Sequence, residues 1–113
     1  MIIVTEPISL ESLIRMAHAR LGELVKAVVD VDRGLMVVDA EMHSDEEALL
    51  LDDGSDQRSL WGINLYPELS GDDRLEFDSM INIRPSQGNR SRGVDDEGTR
   101  RRIRAVVERL IAE

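Results

Sequence analysis

Residues 83–92 read I-R-P-S-Q-G-N-R-S-R. Three arginines, two serines, a Gln and an Asn fall within ten residues, with a Pro and a Gly to turn the chain. Such a loop is dense in hydrogen-bond donors and has almost nothing to bury. The guanidinium of Arg84 is a planar fork of donors suited to a carboxylate or a phosphate. Ser86, Gln87, Asn89, Arg90 and Arg92, with backbone amides near Gly88 and Gly93, can complete a nest for an anion. The same residues would also suit a solvated connector whose arginines pair with acids elsewhere in the chain. A phosphate-binding loop of the form G-x-x-x-x-G-K-[ST] is absent, so nothing supports hydrolysis of a nucleoside triphosphate.

A second constellation lies at Asp39, Glu41 and His43. On an extended strand the two-residue period puts all three on one face, with Asp30 nearby on a neighbouring strand. Two carboxylates and an imidazole are the parts of a divalent-metal hydrolytic site or of an acid–base pair. In a chain with 23 acidic residues the same pattern also describes a solvated strand face. The run Arg100-Arg101-Arg102, followed by Arg104, could touch phosphates. Ile103 interrupts it as a core residue, and Asp95, Asp96 and Glu97 lie one turn away, which favours salt bridges to acids over a nucleic-acid backbone. Trp61 reads as core and His18 as a helix edge.

Composition narrows the classes. The 113 residues fit one domain, 1–113, with one core. There is no Cys, which removes disulfides, zinc–thiolate sites, iron–sulfur clusters and thiol nucleophiles. Trp61, Tyr66 and Phe77 are the whole aromatic set, too few for a base-stacking platform, so the core must be aliphatic. No membrane-length apolar run and no secretory leader are visible, which leads us to expect a cytoplasmic location. No cofactor motif is present. The net charge of −9 is unevenly spread: residues 84–113 hold eight Arg against five acids, so the chain before them carries −12. An acidic body with a basic last third suggests local capture of an anion, or self-association into a homodimer.

The elements that must position these groups follow from periodicity. Residues 2–4 read as a short strand. Ser9 caps a helix over 10–21 with Leu10, Leu13, Ile14, Ala17 and Leu21 on one face. Strands 24–31 and 35–43 flank the turn Asp32-Arg33-Gly34. Ser44-Asp45-Glu46-Glu47 matches a capping box and starts a helix over 45–52, with a strand through 48–51 as the rival reading. Strands follow at 60–66 and 75–83, then a helix over 96–112 with Ile103, Val106, Val107, Leu110 and Ile111 as its seam. The order β-α-β-β-α-β-β-α predicts an α+β fold: a two-layer sandwich with a mainly antiparallel sheet of about five strands and helices on one face.

The strings W-G-I-N-L-Y-P (61–67) and F-D-S-M-I-N-I-R-P-S-Q-G-N-R-S-R (77–92) resemble a small prokaryotic family of conserved hypothetical proteins. The hairpin and the segment H-S-D-E-E-A-L-L-L (43–51) extend the likeness over nearly the whole chain. The resemblance implies a compact stand-alone bacterial or archaeal cytosolic domain and no catalytic residues. The expectation from the residues is a non-enzymatic binding or regulatory module that holds a small anionic ligand or an acidic protein segment through 84–92. A metal-assisted hydrolase built on Asp39, Glu41 and His43 is the alternative, and an oligomeric interaction protein is the third reading.

Overall fold

A computed structural model describes residues 1–113. Its centre is a five-stranded antiparallel sheet of β1 (Ile2–Val4), β3 (Val25–Asp30), β4 (Leu35–Val38), β5 (Leu60–Leu65) and β6 (Leu75–Glu76) in the order β1-β4-β3-β5-β6. A two-stranded parallel sheet joins β2 (Ile8–Ser9) to β7 (Ile111–Ala112). The helices are α1 (Leu10–Arg20), α2 (His43–Asp52) and α3 (Glu97–Leu110). Ser9 caps α1 through Ser12 N–H, and Asp96 caps α3 through Thr99 N–H, as their side chains and positions require.

The α+β class and the antiparallel five-stranded sheet agree with the sequence. The hairpin between β3 and β4 turns where expected. Gly34 adopts φ 69°, and the Asp30 carboxylate accepts from the amides of Asp32 and Arg33, both at 2.9 Å. Asp30 is therefore buried rather than solvated.

The helices divide between the two faces of the sheet. Val25, Ala27, Val29, Met36, Val38, Trp61, Ile63 and Leu65 form the larger core with Leu13 and Ala17 of α1 and Ile103, Val106, Val107 and Leu110 of α3. The opposite face presents Val28, Leu35, Val37 and Leu60 to Leu50 of α2 in a smaller core. Helix α2 thus covers the face that was expected to be half polar. The strand rows of valine and leucine are apolar on both faces because both are covered.

Two strands are shorter than their alternation predicts. β4 ends at Val38 because Asp39 takes φ 70°, a left-handed conformation that Asp tolerates, and the chain leaves the sheet. The strand expected over 75–83 lasts only through Glu76. Beyond it, the chain forms a one-turn 3-10 helix at Met80–Asn82. Asn82 then does a strand's work with its side chain: Oδ1 accepts from Gly62 N–H, and Nδ2 donates to Gly62 C=O, each at 2.9 Å. A carboxamide offers the same donor and acceptor as a peptide group, so the free edge of β5 is satisfied without a neighbouring strand. Gly62 is needed because a Cβ there would lie 2.5 Å from the side chain of Ser79.

Candidate functional site

The donor-rich loop is mostly occupied with its own architecture. Arg84 and Asn89 pair as a small antiparallel bridge around the turn Pro85–Gln87, with Gly88 at φ 83°. Arg84 donates to Leu60 C=O at 2.7 Å and to Gln57 C=O, and its guanidinium lies 4.2 Å from the Trp61 ring centroid. Burial lowers its pKa from the ordinary arginine value, with Glu47 opposing that shift. Gln87 donates to Arg58 C=O at 2.8 Å. The buried Asn89 donates to the carbonyls of Asn82, Ser91 and Gly93 and accepts from Asp95 N–H. Hydrogen bonds from the Ser91 hydroxyl and the Arg90 amide hold the Asp95 carboxyl below the usual carboxylate range. Ser86 and the Arg90 side chain are exposed on the outer rim.

Arg84→Ala is therefore expected to act on stability. It orphans Leu60 C=O, leaves Gln57 C=O with Leu60 N–H alone, and removes a cation stacked on an aromatic ring, a combined cost of about 2 kcal/mol. Urea melts should show this loss, while anion binding by the folded variant stays at the wild-type level.

Asp39, Glu41 and His43 do not converge. Asp39 sits 3.2 Å from Arg20 Nε, and Glu41 is exposed with its carboxylate 4.0 Å from the same guanidinium. His43 is buried as the first residue of α2. The shared face assumed a strand through residue 43, and the turn at Asp39 removes it. No three His, Asp or Glu side chains are grouped to hold a metal ion.

What the structure does assemble is a cleft of about 190 Å³ between the start of α2, the polar end of the sheet and segment 78–81. Lys26 on β3 and Asn64 on β5 are cross-strand partners on the face covered by α2. His43 and Ser44 enter from α2, Asp78 and Ser79 from the segment after β6, and Arg92 from the end of the donor-rich loop. Of the six residues singled out in that loop, Arg92 alone reaches the cleft. Its Nε donates to Asp78 Oδ1 at 2.8 Å, which engages one nitrogen of a half-exposed side chain and leaves the other two without a partner. Two backbone ties fix this placement: Ser79 N–H and Asn82 Nδ2 both donate to Arg92 C=O at 2.9 Å. Lys26 forms neither an ion pair nor a side-chain hydrogen bond.

The electrostatics of the cleft depend on two groups that are uncharged at neutral pH. His43 Nε2 lies 2.7 Å from Ile63 C=O. A carbonyl only accepts, so Nε2 carries the proton and Nδ1 presents its lone pair. Burial pushes the imidazole below its ordinary pKa, against the pull of that carbonyl. One helical turn on, Glu46 is fully buried and neither oxygen has a partner. Burial raises its pKa to about 9, with Lys26 the largest opposing charge. With Glu46 protonated and His43 neutral, Lys26, Arg92 and Asp78 give the cleft a local charge of +1 in a chain of −9.

A larger hollow of about 410 Å³ lies between α3 and residues 71–75. Its cations are already engaged, Arg74 with Glu113 and Arg104 with Asp72. The sequence reading missed Lys26, Asn64, Asp78 and Glu46 as site residues. One signal was available: Lys26 is the chain's single lysine and interrupts an apolar strand, V-K-A-V-V.

The fold and this cleft define a small α+β domain, and no helix in it is long and apolar enough to cross a membrane. The chain belongs to the family described as protein of unknown function (DUF5674), whose model matches residues 2–110. No curated protein and no solved structure matches the chain.

Proposed function

We propose that this domain is a non-enzymatic binding module that holds a small anion in the cleft between α2 and segment 78–81. Lys26 and Arg92 supply the positive charge, and Ser44 adds a hydroxyl donor. The single observation that carries this reading is the ammonium of Lys26, unpaired inside a cleft of a strongly acidic protein. Eight of the ten ion-paired contacts in the chain involve arginine and a carboxylate outside this cleft, and Lys26 joins none of them. A lysine left unpartnered in a chain this acidic is available to a ligand. The anion-binding role thus moves from the body of loop 84–92 to its last arginine.

Titration calorimetry with inorganic phosphate, methyl phosphate and acetate at low ionic strength tests this. Lys26→Met and Arg92→Ala should each weaken binding by about tenfold or more, the loss expected for one charge-assisted hydrogen bond. Arg90→Ala and Ser86→Ala should bind as wild type does. Affinity should fall as salt is raised. Absence of any saturable heat, or binding untouched by both cleft substitutions, would refute the reading.

A further inference from the structure

The apolar part of the cleft says what kind of anion it takes. Met42, Met80 and Ile81 are its hydrophobic lining. Met80 is 65% and Met42 56% exposed, the highest values among the large hydrophobic side chains of the chain. They sit on separate elements: Met42 directly precedes α2, and Met80 opens the 3-10 turn at Met80–Asn82. Their backbone carbonyls accept from the amides of Asp45 and Ile83, each at 3.2 Å, and their neighbours His43 and Ile81 are tied to Ile63 C=O and the Ser79 hydroxyl. Their side chains are free. Unbranched thioethers on a fixed frame can close around an apolar group of variable shape. Both lie at the lips of the cleft that holds the unpaired lysine.

Resting on the anion-binding reading above, we propose that the ligand is an organic anion with a short apolar chain: Lys26 and Arg92 take the charged head, and Met42 and Met80 close over the chain. The cleft volume of about 190 Å³ corresponds to roughly six water molecules, which suits a head group with a few methylenes. His43 Nδ1, a bare acceptor beside the head, favours a head that also carries a hydrogen-bond donor, such as a singly protonated phosphate or a neighbouring hydroxyl.

The test compares acetate with hexanoate and methyl phosphate with hexyl phosphate on the intact protein. Binding is measured by calorimetry, and the methionine methyl signals are followed by NMR. A fully buried methylene is worth about fourfold in affinity, so with the lips half open the hexyl compounds should bind about tenfold or more tightly than their methyl counterparts. Met42 and Met80 methyl signals should move with the hexyl ligands. Met42→Ser and Met80→Ser should flatten the chain-length gain and leave methyl phosphate binding intact. A gain confined to one pair supports the proposal and names the head group. If all four ligands bind equally and depend on Lys26, the apolar-chain inference is overturned while the anion cleft stands. If none binds, both fall. If the protein sediments as a dimer that Met80→Ser disperses, the methionines belong to an interface between copies and the inference is likewise overturned.

Discussion

At pH 7, Glu46→Gln is expected to be more stable than the wild-type protein by about 3 kcal/mol, and at pH 4 to be no more stable at all. In the folded state the Glu46 carboxyl is fully enclosed and without a hydrogen-bond partner, and burial raises its pKa from 4.5 to about 9. The unfolded chain releases that proton near the ordinary value. Below pH 4.5 both states hold the proton, and the group contributes nothing to the balance. As pH rises from 4.5 towards 9, the unfolded state gains by ionising while the folded state does not, so stability drains away across that window. Each pH unit is worth about 1.4 kcal/mol, and the interval from 4.5 to 7 gives the figure of about 3. Gln has nearly the shape of the protonated acid and carries no such dependence. Urea melts of both proteins between pH 4 and 8 check this. A pH-independent difference, or a variant less stable than wild type at pH 7, would show that Glu46 is ionised and held by Lys26. A folding cost beside a cleft is characteristic of positions retained for something other than stability.

Glu46 also shows why α2 was hard to place from the sequence. Its buried residues are His43, Glu46 and Leu50, two of them polar. A pattern of apolar residues cannot identify such a face, so the helix was legible but its covering of the second sheet face was not. The capping box at Ser44 pointed to the right region. The helix begins two residues earlier, at His43 after Met42, with no side-chain cap, because the imidazole of His43 is anchored on Ile63. Helices α1 and α3 carry clean apolar seams and were readable to within a residue or two, and so was the β3–β4 hairpin. The extent of β4 and β6 was not, since alternation continues past Val38 and Glu76 while the backbone turns away at Asp39 and Met80.

The donor-rich loop teaches a related lesson. Composition reveals how many hydrogen-bond donors a segment has, but not which of them the fold consumes. Arg84, Gln87 and Asn89 are engaged by carbonyls of Leu60, Arg58 and Asn82, contacts that depend on the folded course of the chain. The site instead draws one or two residues from each of several elements. Cross-strand register joins Lys26 to Asn64, and a turn brings Arg92 to Asp78. No local motif records such an assembly, which is why only Arg92 of the cleft was anticipated as a ligand-binding residue.

Asn82→Ala is expected to cost about 3 kcal/mol or more. The side chain is fully buried and makes three hydrogen bonds to backbone: it accepts from Gly62 N–H and donates to Gly62 C=O and Arg92 C=O. Its loss orphans Gly62 N–H and C=O and removes one of the two donors to Arg92 C=O, which keeps Ser79 N–H; each buried orphan costs about 1–3 kcal/mol. Water cannot readily take over, because Ser79 and Ile81 pack directly over Gly62. Asn82→Asp should fare no better: it keeps the acceptor for Gly62 N–H but sets a carboxylate against two carbonyl oxygens. Asn82→Ala should also release Gly62 N–H to rapid hydrogen exchange, since that amide has no strand neighbour on this edge. Because Asn82 Nδ2 helps fix Arg92, the variant should bind methyl phosphate several-fold more weakly at temperatures where it remains folded. A cost below about 1 kcal/mol, with Gly62 still protected, would mean that the edge of β5 is satisfied by other means and that Asn82 does not stand in for a strand.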